Sequence, residues 1–147
     1  MTNDDAGLPL GTFSTATAGG RVRVASGGAW EPLVGYSRAV RAGPHVHVSG
    51  CTAAGADGSV LFPDDAYGQA RLCLLKIRAA LEQAGARVED VVRTRMYVTD
   101  ITRWEEVGRA HGEFFAHVRP AATMVEVRAL IDPAMLVEIE AEAYVGT

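Results

Sequence analysis

Hydrophobic and polar positions change period several times along the chain, and each change marks an element. Arg21-Val22-Arg23-Val24 and residues 36–41 and 45–49 place apolar residues at every second position, the period of a half-buried strand. In the last of these Val46 and Val48 share one face, His45 and His47 the other. The period then lengthens. Ala70, Cys73, Leu74, Ile77, Leu81 and Ala84 recur every three or four residues, which predicts a helix over 64–84 with one buried stripe. Asp64 or Asp65 caps its start, and Gly85 stops it. Residues 91–99 return to period two, with Val92, Thr94, Met96 and Val98 on one side and Arg93, Arg95 and Tyr97 on the other. Thr102-Arg103-Trp104-Glu105 has the form of a capping box and opens a second helix. Its stripe is Trp104, Val107, His111, Phe114 and Val118, and Arg119-Pro120 ends it. Two strands, 122–129 and 136–145, close the chain around an Asp132-Pro133 turn.

This order predicts an α+β domain over residues 21–147, with two helices on one face of a single mixed sheet. Residues 1–20 are small, polar and without periodicity, and read as a flexible leader. The uncovered sheet face is not cleanly polar: Ala122 and Met124 alternate with Thr123, Val125 and Val127, so both sides carry apolar groups. A face of that kind is expected to meet another copy of the chain, leaving clefts between subunits.

Composition narrows the function. At 147 residues, 48% hydrophobic and 22% charged, the chain has the makeup of one globular domain. Its net charge of -4 and scattered Lys and Arg give no basic track for a phosphate backbone, so nucleic acid is not an expected partner and a ribonuclease reading is weak. No secretory signal and no membrane-length apolar run is present, and Cys51 and Cys73 lack metal-ligand spacing. The expectation is a cytoplasmic protein with two reduced thiols, no metal and no cofactor.

Four segments in order resemble the RidA (YjgF/YER057c-type) family of reactive-intermediate and imine deaminases. Gly35-Tyr36-Ser37-Arg38-Ala39-Val40 is similar to its "PYSQAV" strand, and Val46-His47-Val48-Ser49-Gly50 to its "(I/V)-x-x-SGQ" strand. Gln69-Ala70 through Gly85 and then residues 91–100 are similar to its "QAR…L…AG…D(I/V)VK…V(Y/F)(V/L)xD" run. Residues 119–127, with Val137-Glu138-Ile139-Glu140-Ala141, are similar to "P(A)RSxVEV…(V/I)EIEA". The resemblance implies a chorismate-mutase-like fold, a homotrimer with a small-molecule ligand in each inter-subunit cleft, and hydrolysis of enamines and imines. It also implies an arginine that grips the substrate carboxylate by paired hydrogen bonds. This chain has Ala122 there, which makes it a divergent member with altered substrate recognition.

Carried over position by position, Glu138 is the expected catalytic group, orienting water or moving a proton. Tyr36, Ser49, Gly50, Cys51, Ala122, Thr123 and Met124 are the expected substrate-binding residues. Without the resemblance Glu138 reads as one of three glutamates on a solvated strand face. Cys51 reads as a buried inert thiol or as a cleft nucleophile, the former favoured because nothing adjacent in sequence would lower its pKa. Arg93 or Arg95 could replace the missing guanidinium across a cleft. A non-catalytic metabolite-binding or regulatory trimer is the alternative function.

Overall fold

The computed structural model describes residues 5–146. Nine principal elements follow one another: β1 (Ser14–Ala18), β2 (Arg21–Ala25), β3 (Ala39–Ala42), β4 (His45–Cys51), α1 (Ala66–Gln83), β5 (Val91–Val98), α2 (Trp104–Phe115), β6 (Ala121–Glu126) and β7 (Val137–Tyr144). One mixed sheet takes the order β1-β2-β3-β4-β7-β5-β6, antiparallel except for the parallel β5–β6 pair. Helix α1 packs on β4 and β7, and α2 packs on α1. The core is the layer between them: Val46, Val48, Ile139, Ala141 and Met96 from the sheet, Leu74, Ile77 and Leu81 from α1, and Val107 and Phe115 from α2.

The expected leader is corrected in part, because the sheet begins at Ser14 rather than Arg21. Strands β1 and β2 pair from Ser14↔Ala25 to Ala18↔Arg21, leaving Gly19-Gly20 as a two-residue loop. Both glycines have positive φ (60° and 74°), the geometry that lets a two-residue turn follow the twist of its strands. Gly-Gly is the signal of this hairpin in the sequence, but β1, Ser-Thr-Ala-Thr-Ala, is exposed throughout and carries no large apolar residue to mark a strand.

Strand β5 differs in register. Its pairing with β7 shifts between Val91 and Arg93, so Val91 and Thr94 both face the core and Val92 is pushed out, 51% exposed. A bulge breaks the period-two rule that had placed Val92 inside. No Thr102 capping box opens α2: Asp100, whose carboxylate accepts from the Thr102 amide, caps the 3-10 turn Ile101–Arg103 that runs into the helix, and α2 itself begins without a side-chain cap. Trp104 sits outside the buried stripe, which is Val107, Ala110 and Phe115 with His111 half-buried. The α1 cap is Asp65, accepting from the Gly68 amide at 2.8 Å.

One buried amide fixes the approach to β7. Gln69 on α1 is fully buried; its Nε2 donates to the carbonyls of Phe62 (3.1 Å) and Ala134 (3.0 Å), and its Oε1 accepts from the Leu136 amide (2.8 Å). Every hydrogen-bonding direction it uses is satisfied, so the loop ahead of β7 is held against the helix.

Candidate functional site

Strands β4 and β7 are in register from His45↔Tyr144 to Val48↔Ala141, and then resume one residue late at Cys51↔Ile139. Ser49-Gly50 is therefore a bulge. The extra residue lets Val48 and Cys51, three apart, both point into the core. The bulge is pinned on its far side: the Ser49 amide donates to the Arg38 carbonyl (2.9 Å) and the Ser49 hydroxyl to the Ser37 carbonyl (2.6 Å).

The Glu138 carboxyl rests directly on Gly50, where even one added methyl group would overlap its oxygens. Glycine is needed here for close approach. The three alternating glutamates of β7 thus part company. Glu142 pairs with Arg95 at 3.0 Å, and Glu140 accepts from the Tyr97 hydroxyl at 2.5 Å with Arg95 3.9 Å away. Glu138 is half-buried and has no hydrogen bond or ion pair among the described residues. Burial, with Glu140 beside it, pushes its carboxyl above the ordinary value against the pull of Arg38.

Arg38 is the functional-site residue that sequence reasoning missed. Its Nη1 donates to the Gly50 carbonyl (2.7 Å) and lies 3.4 Å from the Cys51 sulfur; its Nε is 3.4 Å from the Ser26 hydroxyl. The guanidinium carbon sits 5.6 Å from the centre of the Tyr36 ring. Ser26 is itself fixed by Glu31, whose carboxylate accepts from the Ser26 hydroxyl (2.6 Å), the Ser26 amide (3.1 Å) and the Gly28 amide (3.0 Å). These bonds outweigh burial and hold Glu31 below its ordinary value. The signal available in the sequence was an arginine where the quoted "PYSQAV" motif has glutamine.

Cys51 lies on the core side, 2% exposed. Arg38 and Lys76, distant in sequence but brought close by the fold, both favour its thiolate, yet burial prevails and its thiol stays above the ordinary value. Burial also pushes the Cys73 thiol well up. Lys76 is spent on the carbonyls of Thr52 (2.7 Å) and Ala54 (2.6 Å), which hold the chain just beyond the bulge.

Within one chain the expected β6 residues do not join this group. The register Thr94↔Ala122, Arg95↔Thr123, Met96↔Met124 puts Ala122 and Met124 on the helix-covered side and Thr123 on the open side. Strand β6 is two strands from β7, about 10 Å across the sheet. Beside Ala122, the buried Thr94 hydroxyl is 2.8 Å from His111 Nε2, and burial keeps His111 below its ordinary pKa. Arg93 Nη2 donates to the Thr123 hydroxyl (2.8 Å) while its buried Nε has no hydrogen-bond partner among the described residues, and the part-exposed Arg95 pairs with Glu142. Tyr36, Ser49, Gly50 and Glu138 are thus brought together around the bulge, whereas Ala122, Thr123 and Met124 lie apart from them on β6 and on both of its faces.

Among the described residues no group of three or more metal-ligating side chains occurs, and no helix is long and apolar enough to cross a membrane.

Comparison with known proteins places this geometry. The family model described as Endoribonuclease L-PSP matches residues 26–145. An uncharacterized protein of Streptomyces coelicolor, SCO2049, is 40% identical over 125 residues, covering 84% of this chain and 92% of that one. The crystal structure of Rv2704 from Mycobacterium tuberculosis, a member of the YjgF/YER057c/UK114 family, is 55% identical with a TM-score of 0.78, covering 85% of this chain and 99% of that one. The structure of E. coli TdcF with bound serine is 28% identical with a TM-score of 0.67, covering 74% and 87%.

Proposed function

The chain belongs to the YjgF/YER057c/UK114-type family that the Endoribonuclease L-PSP model describes, and from that premise we propose that it hydrolyses an imine or enamine in a cleft of a homotrimer. The observation that carries this reading is Glu138: alone among the three glutamates of its strand, all half-buried, it is proton-retentive and unengaged, seated on a glycine bulge. A carboxyl whose pKa is raised by its surroundings is suited to holding and passing a proton. In the reaction a water oxygen bonds to the imine carbon and the C=N π pair passes to nitrogen. Glu138 takes one proton from the water and passes it to the nitrogen, giving the carbinolamine; it then moves the hydroxyl proton to the same nitrogen as the C–N bond breaks, the C=O forms and ammonia leaves. An enamine first takes a proton at carbon and loses one from nitrogen to give the imine. No oxidant or reductant is consumed.

Recognition would differ from the arginine-bearing branch. Ala122 offers a methyl group where that branch has a guanidinium, and losing a desolvated charge-assisted contact is worth about 2–5 kcal/mol. Trimer formation would bring the Ala122 half of one subunit to the Glu138 half of its neighbour, which a single chain cannot do. Bound serine in TdcF supports a small polar metabolite as the occupant of such a cleft. The net charge of -4 argues against an RNA backbone in that place.

The test is hydrolysis of imines generated in situ from primary amines and from amino acids, with surviving imine read as its semicarbazone. Wild type should speed the loss of at least one imine, and Glu138→Gln should cut that rate at least tenfold. Equal rates for the two proteins would remove Glu138 from the chemistry. Ligand binding with no turnover of any imine would leave a metabolite-binding trimer as the function.

A further inference from the structure

Position 122 offers no charge, yet the Glu138 half of the site contains a guanidinium. We infer that Arg38 is an anion-binding residue that takes a carboxylate beside Glu138, a step that rests on the reading of this half-site as ligand-binding. The argument starts from how the side chain is held. The guanidinium is fixed at two points: Nη1 on the Gly50 carbonyl, with the Ser49 carbonyl and the Cys51 sulfur beside it, and Nε against Ser26, which the buried Glu31 in turn orients. Tyr36 flanks the guanidinium plane. Nη2 makes no hydrogen bond among the described residues and is not among the buried unpartnered atoms, so it is not sealed from solvent. Nη1 and Nε are occupied by the protein, which leaves Nη2, on a rigidly held positive charge, as the donor available to a carboxylate oxygen.

The charges around it leave room for an anion. The carboxylate of Glu31 is consumed by Ser26 and Gly28. Glu138 makes no ion pair with Arg38. Gly50 is the common reference point, its carbonyl under Arg38 and its α-carbon under the Glu138 carboxyl. A ligand gripped at Arg38 therefore presents its next atoms to Glu138.

Calorimetry on the full chain tests this with matched pairs: pyruvate against pyruvamide, lactate against lactamide, benzoate against benzamide. Wild type should favour at least one carboxylate over its amide by tenfold or more. Arg38→Gln should abolish that preference without weakening amide binding, whereas a structural role would weaken both alike. Should the glutamine variant fail to fold, Arg38→Lys keeps a charge but not the rigidly held guanidinium, and should lose at least threefold of the preference. An absent preference in wild type, or one that survives substitution of Arg38, overturns the inference. Glu138→Gln separates the two readings, because it should keep or strengthen the carboxylate preference while losing turnover. If it keeps turnover as well, the proposed chemistry fails and the anion site stands.

Discussion

At the scale of single residues the site turns on the contact between Gly50 and Glu138. Gly50→Ala should displace the carboxyl and cut imine hydrolysis at least tenfold, with only a small change in stability because the atoms in its way are the movable end of a half-buried side chain. Thermal unfolding beside the rate assay checks both effects. Glu138 also carries a pH signature. Its folded-state pKa is raised, so its contribution to stability is complete below the unfolded value and is lost as pH rises through the folded value. Glu138→Gln should therefore be more stable than wild type at pH 7 and lose that advantage toward pH 4, as denaturant titrations at the two pH values would show. A gain in stability with a loss of rate is the expected mark of a strained functional group. His111 behaves oppositely: burial lowers its pKa, so its contribution is present above the unfolded value and is lost as pH falls.

At the scale of elements, the site is held by connections between α1 and the strands. Gln69 ties α1 to the loop that feeds β7, and Lys76 ties it to the chain leaving β4. Both anchors flank the bulge on which Glu138 rests. Gln69→Ala would strand the buried Leu136 amide and cost about 1–3 kcal/mol. It should also lower kcat without a matching change in KM, since Gln69 touches the strand and not the ligand. A kcat unchanged alongside the stability loss would show that β7 keeps its register without this amide. The helices themselves were legible from their stripes and stops. The two bulges were not, because a one-residue slip is invisible to a rule that counts every second position.

At the scale of the whole molecule, the open sheet face and the separation of the two half-sites call for more than one copy of the chain. Light scattering should give a mass about three times that of the 15.6 kDa chain. Val125→Glu, on the open side of the exposed edge strand, should reduce that mass and the imine hydrolysis together; hydrolysis by a stable monomer would place the whole site within one chain. The sequence by itself determined the α+β class, the buried stripe of α1, the family resemblance and the alanine at position 122, because local periodicity and residue identity are written in the chain. Only the tertiary structure decided which of three equivalent-looking glutamates is free, that Gly50 lies beneath it, and that Arg38 stands beside it. Those relations depend on register across strands distant in sequence, where one bulged residue changes which side chains meet.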